Sequence, residues 1–190
     1  MAQFRYRLRQ WKIRPFHLIS QLDMSRLWDR LLRKSGTPIL YSQGFNPRPL
    51  LSFGPATPLG VESKAEYLEM FLGKEVPVLV LQEKLNRYLP EELGIREVTL
   101  IPLQAPSLMR EMKGVQYAFS FPGISSWNGA SLPEGIEVQE VHREMDALQV
   151  LFLFRGEKVF FSPLKFSLFL QKNFDYPFPN RIVKEEVFFP

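Results

Sequence analysis

The 190-residue chain is long enough to bury a sizeable core, and 45% hydrophobic with 23% charged residues is the composition of a folded protein rather than a disordered one. It has no cysteine, which excludes disulfides, thiolate nucleophiles and iron–sulfur clusters held by its own side chains; two histidines, His17 and His142, leave little material for a metal centre. The net charge of +4 is uneven: ten basic and two acidic residues up to Gly60 give +8 there and leave −4 for the rest, so an anionic partner is expected to meet the N-terminal third.

The chain opens with MAQFRYRLRQWKIRP, whose charges interrupt the order of a secretion signal. No run approaches the ~18 consecutive apolar residues that cross a bilayer, so a soluble, cytoplasmic protein with no membrane partner is expected. Phe4, Tyr6 and Leu8 alternate with Arg5, Arg7 and Arg9 at the period of a strand. Beyond Gln10 the phase shifts, and one extra residue there would bring Lys12 and Arg14 onto the same face as the three arginines. Cations at alternate positions repel one another, so that face calls for an acidic neighbouring strand or an external anion.

Ser20 followed by Asp23 has the form of a capping box with Asp in place of Glu, and Met24, Leu27, Trp28 and Leu31 then recur at helical spacing until Gly36. The other side of this predicted helix carries Asp23, Arg26, Arg30 and Arg33. Ile39–Ser42 with Leu50–Phe53 reads as one interrupted strand, Glu66–Leu72 as a strand, Val78–Leu89 as a helix ended by Pro90, and Gly94–Leu103 as a strand. Strand, helix, strand, strand, helix, strand is the split βαβ, or ferredoxin-like, order within an α+β protein.

Gln104–Lys113 reads as a linker, which places one domain at 1–104 and a second at 105–190. In the second, Val115–Phe121, Ile136–Glu144 and Leu148–Phe154 running on towards Phe161 are expected strands, Pro163–Asn173 a helix and Arg181–Phe189 a final strand. A loop holding Trp127 stands where the first helix would be, so this half is expected to be a trimmed copy of the same plan.

Tyr41–Gly60, YSQGFNPRPLLSFGPATPLG, concentrates four prolines, three glycines and three aromatics around one charge, Arg48. Prolines withhold N–H donors and glycines permit bends, so this ribbon cannot pair along its length and leaves backbone groups for a ligand. Tyr41, Phe45 and Phe53 offer stacking faces, Gln43 and Asn46 hydrogen bonds, and Arg48 a charged fork, the chemistry used on single-stranded nucleic acid. The plain structural alternative is a loop covering the sheet edge with Phe45 and Phe53 inward. No Walker loop, dinucleotide fingerprint, HExxH or GxSxG occurs, and the available acid–base candidates are Asp23 and His17.

From Phe16 to Met70 a dense series of motifs stands together: SQLD at Ser20–Asp23, Arg30, Arg33 and Gly36 at the helix end, YSQGFNP at Tyr41–Pro47, SFGP at Ser52–Pro55, PLGVES at Pro58–Ser63 and AEYL at Ala65–Leu68. This series resembles the domain-of-unknown-function family linked to cobalamin-binding radical-SAM proteins, in which the domain occurs alone or fused behind such a module. The resemblance covers roughly the first hundred residues. It departs at Gln21 and Arg48, where the family usually has histidines, and at Leu50, where it has a lysine; chemistry that depends on those histidines is therefore not expected, whereas Arg48 can bind anions.

The expectation that follows is a non-catalytic accessory, without cofactor or metal, that presents RNA or another anionic substrate to a separate radical-SAM protein. Arg26, Arg30, Arg33 and Arg48 would hold phosphates, Tyr41, Phe45 and Phe53 would stack, and Gln43 and Asn46 would orient. Two alternatives stand beside it: an RNA-processing enzyme of the ferredoxin-like endoribonuclease type using Asp23 or His17, and a protein-interaction scaffold docking through the loop and the C-terminal VFFP.

Overall fold

The computed structural model describes residues 3–129, 131–156, 162–174 and 176–189. Along the chain these form β1 (Phe4–Lys12), α1 (Gln21–Ser35), β2 (Leu51–Phe53), β3 (Glu62–Leu72), α2 (Val78–Asn86), β4 (Leu93–Ile101), α3 (Leu108–Glu111), β5 (Gly114–Pro122), β6 (Ile136–Arg143), β7 (Ala147–Arg155), α4 (Pro163–Phe174) and β8 (Arg181–Phe188). The eight strands make a single mixed sheet in the order β4-β1-β3-β8-β5-β7-β6, with β2 on β3. The chain divides into two compact units, residues 1–59 with 66–110 and residues 60–65 with 111–190.

In the first unit alternation decides which side chains are inward. Tyr6 and Leu8 of β1 and Leu68, Met70 and Leu72 of β3 are buried in one cluster with Met24, Trp28, Leu31 and Leu32 of α1 and Leu81 and Leu85 of α2. The Tyr6 hydroxyl is satisfied there, donating to the Val76 carbonyl and accepting from the Val76 N–H, each at 2.8 Å. On the opposite face lie Arg5, Arg7 and Glu69. Glu69, fully buried, takes Arg7 on one oxygen at 2.8 Å and Arg5 on the other at 2.6 Å. Arg5 also donates to the carbonyls of Leu103, Ala105 and Pro106, which ties the segment after β4 to this face.

The basic ribbon therefore has an acidic neighbour within the chain, and its cations do not all share a face. The irregularity in the β1–β4 pairing falls between Arg9 and Gln10, opposite Glu97 and Ile95, so the extra residue is Arg96 on β4. β1 alternates without interruption, and Lys12 falls in phase with Tyr6 and Leu8, where it is buried; Arg14 lies beyond the strand. β1 alone shows its alternation, whereas the bulge belongs to its partner strand, where Arg96 lies 86 residues beyond Gln10.

Other boundaries move for similar reasons. β3 begins at Glu62 rather than Glu66 because Glu62 and Ser63 pair in parallel with Val183 and Lys184 of β8. α2 ends at Asn86, where the Asn86 side chain turns to bond the backbone of Ile95, and a turn then carries the chain to Pro90. The expected linker contains the short helix α3.

The second unit pairs β8-β5-β7-β6 by antiparallel ladders. This repeats, strand for strand, the β4-β1-β3-β2 order of the first unit. Here too the fourth strand carries one extra residue against the first, Glu185 opposite the Gln116–Tyr117 step. Much of the phenylalanine content serves this core: Phe119 meets Phe152 at 5.2 Å and Phe166 at 5.6 Å between ring centres, nearly edge to face in both cases. Where α1 has its counterpart, the described part of the β5–β6 connection holds no helix; Trp127 lies there, stacked on Tyr176 at 4.8 Å and edge-on to Phe152 at 5.2 Å. One large ring covers core surface that a helix covers in the first unit. The expected extension of β7 towards Phe161 falls at 157–161, outside the described residues. No described helix is long and apolar enough to cross a membrane.

Candidate functional site

α1 starts as its sequence requires. The Ser20 hydroxyl oxygen accepts the Asp23 N–H at 3.1 Å, and its proton goes to Asp23 Oδ2 at 2.7 Å. That second bond is the main cause that holds the Asp23 carboxyl below its ordinary value; desolvation opposes it, and Arg26 at 3.2 Å and the charge of Arg30 add to the lowering. At the other end Gly36 adopts the left-handed cap conformation, with φ 59°. Met24, Trp28, Leu31 and Leu32 turn inward, which leaves Arg26, Arg30 and Arg33 exposed.

The proline-rich segment is an excursion from the sheet edge rather than an interrupted strand. Ile39 bridges to Leu72, and Leu40 donates to the Phe71 carbonyl. The chain then leaves: Tyr41 bridges to Pro49, and the Ser42 N–H donates to the Arg48 carbonyl at 2.8 Å. It rejoins at Leu50, which donates to the Leu40 carbonyl, before β2 pairs with Met70, Glu69 and Leu68. The Ser42 hydroxyl accepts the Arg48 N–H at 3.0 Å and so closes the neck of the loop a second time. Gly44 turns the tip with φ 123°, a conformation that side chains oppose.

Gln43, Gly44, Phe45, Asn46, Pro47 and Arg48 are all exposed, and Phe45 is 104% exposed. Arg33 steadies this loop: its guanidinium lies 5.1 Å from the centre of the Tyr41 ring, Nη2 lies 3.5 Å from the Pro47 carbonyl, and Nε donates to Asp29 at 2.8 Å. The Arg48 side chain has no hydrogen-bond or ion-pair partner among the described residues.

The structure thus distributes the expected site residues. Phe45, Arg48, Gln43 and Asn46 share the open tip, with Arg33 at its base. Tyr41 and Phe53 are half-buried against the core, and Tyr41 is in addition covered by Arg33, so Phe45 is the aromatic that offers its ring fully to solvent. The covering-loop alternative describes Phe53 and fails for Phe45. Arg26 and Arg30 belong to a different feature, a cavity of about 380 Å³ that they line with Asp23. Its remaining walls are Ile19, Leu27 and Leu31 on the near side and Tyr88 with Pro90 from the turn after α2.

Tyr88 and Pro90 were not among the sequence candidates, and no local signal marks them, because they meet α1 only through the packing of α2. Lys34 joins them, its Nζ 5.6 Å from the centre of the Tyr88 ring. The first unit as a whole has 15 basic and 9 acidic residues, or +6, against 9 and 11, or −2, in the second. α1 and the loop carry five of these basic residues against two acidic ones, and β1 with Arg14 carries another five. His17 is only partly exposed, with Nδ1 buried and without a hydrogen-bond partner among the described residues. Among the described residues no cluster of three His, Asp or Glu groups could hold a metal ion.

Residues 5–150 match the family described as an uncharacterized protein conserved in bacteria, DUF2344. The chain belongs to this family. The family match runs beyond the hundred residues that carry the motif resemblance, through the first unit and into β7 of the second. It includes all of α1, the loop and the cavity-lining turn at Tyr88 and Pro90. No curated protein matches the chain.

Proposed function

We propose that this chain is a cytoplasmic binding accessory that holds single-stranded RNA on the loop tip and the cationic side of α1, for use by a radical-SAM enzyme supplied as a separate chain. The radical-SAM partner rests on the motif series around Tyr41–Pro47 and Pro58–Ser63. The RNA reading rests on one observation above all: a fully exposed Phe45 on the same loop tip as the Arg48 guanidinium, which has no partner among the described residues, with the loop fixed from below by Arg33. Leaving a phenylalanine in water forgoes about 1.5–3 kcal/mol of burial, which a stacked base recovers at roughly 1–3 kcal/mol. The four arginines supply the charge that follows a phosphate chain. The repeated strand order, β4-β1-β3-β2 and β8-β5-β7-β6, supports reading both units as ferredoxin-like, the second without its first helix.

The nuclease alternative finds less support. Asp23 is engaged by Ser20 and Arg26 and held at low pKa, which makes it a weak base and no acid at neutral pH. Fluorescence anisotropy with a labelled single-stranded RNA across a potassium chloride series tests the proposal. Affinity is expected to fall with a slope of roughly −0.7 per phosphate contacted. Arg48→Ala should flatten that slope by about one contact. Phe45→Ala should weaken binding about 5- to 150-fold at every salt concentration. Absence of salt-dependent binding, or indifference to both substitutions, refutes it; capture of a radical-SAM protein that survives Arg48→Ala and high salt would instead favour the scaffold.

A further inference from the structure

Resting on the RNA-binding reading above, we infer that the cavity beside α1 takes one unstacked guanine base of the bound strand. At about 380 Å³ it lies near the lower end of the range of small-ligand pockets, roughly 300–1,000 Å³, and so suits a single nucleotide rather than a duplex. Leu27, Leu31 and Pro90 make its apolar walls, and Tyr88, 41% exposed, offers a ring beside them. A flat heterocycle slides into such a slot and stacks there, as single-stranded bases do on aromatic residues.

The polar groups select the base. Asp23 is a carboxylate, which only accepts hydrogen bonds. Ser20 occupies one of its oxygens and Arg26 the other, and each oxygen has a second lone pair with which to accept. Guanine presents two adjacent donors, N1–H and the N2 amino group, to a carboxylate. Adenine and cytosine place a ring acceptor next to their amino group, where it would face a carboxylate oxygen, and uracil flanks its one N–H with two carbonyls. On the other edge of guanine, O6 and N7 are the acceptors that an arginine fork fits. Among the described residues the Arg30 guanidinium has no hydrogen-bond partner, and Arg30 lies seven residues beyond Asp23, roughly 10 Å along the helix, a span that a purine fills between two hydrogen bonds.

The test is calorimetric or NMR titration of the full chain with GMP, IMP, AMP, CMP and UMP. GMP should bind about tenfold or more tighter than AMP, CMP and UMP, with IMP, which lacks the N2 amino group, in between. Asp23→Asn should abolish the preference, since the amide turns a donor towards the donors of guanine; Tyr88→Ala should weaken all five ligands together. Equal affinities, or no binding of any nucleotide at millimolar concentration, overturn the inference. RNA binding with no preference among nucleotides would remove the guanine assignment and leave the RNA reading; GMP preference in a chain that binds no RNA would do the reverse and support the cavity as a nucleotide site.

Discussion

Replacing Glu69 by Gln tests whether the charge on β1 is structural. Glu69 is 0% exposed, Arg5 7% and Arg7 15%, and four guanidinium N–H groups converge on the two carboxylate oxygens at 2.6–3.1 Å. Gln keeps the volume but provides one acceptor oxygen and an NH2 group, so one arginine meets a donor in place of an acceptor. Removing one partner of a buried ion pair costs about 3–5 kcal/mol. Arg5 retains three backbone carbonyls and Arg7 some solvent, which sets the expectation at the lower end, about 3 kcal/mol. Against a total stability of roughly 5–15 kcal/mol this is a large fraction. Urea unfolding followed by tryptophan fluorescence, to which Trp11 and Trp28 of the same unit contribute, should show a midpoint lower by about 1–3 M at ordinary m-values. The exposed Glu83→Gln should stay within about 0.5 kcal/mol. A loss below about 1 kcal/mol for Glu69→Gln would show that the two arginines do not depend on this carboxylate, and would return them to the pool of cations available to an external anion.

Two further substitutions probe the surroundings of the site. A Cβ at Gly94 would run into the ring of Trp11, so Gly94→Ala should displace that ring, break the 2.9 Å bond from Trp11 Nε1 to the Glu91 carbonyl and cost about 2 kcal/mol by thermal or urea unfolding; a neutral result would refute the close approach. Ser20→Ala should destabilise α1 by about 1 kcal/mol and let the Asp23 carboxyl rise towards its ordinary 3.8, as followed by a carboxyl NMR titration. Because the folded value lies below the unfolded one, the stability linked to Asp23 is present above pH 3.8 and lost as pH falls through the lowered value; in Ser20→Ala the linked stability should be smaller and its loss complete at a higher pH. An unchanged titration would mean that the serine proton is not what holds the carboxyl down.

The amino-acid sequence alone determined whatever depends on neighbours in the chain. The cap at Ser20, the inward stripe of α1, the stop at Gly36 and the strands β5 and β7 all follow from short-range pattern and turn chemistry, and so were legible. The openness of the Tyr41–Pro49 loop was legible for the same reason, since its prolines and glycines cannot pair wherever the chain goes. Tertiary structure decided what depends on residues far apart: the parallel pairing that starts β3 at Glu62, the bulge carried by Arg96 rather than by β1, the burial of Glu69 between two arginines, and the splitting of the arginine stripe, with Arg33 turned to the loop while Arg26 and Arg30 meet Tyr88. Periodicity says which face a side chain takes on its own element; which partner waits on that face is fixed only when elements distant in sequence pack together.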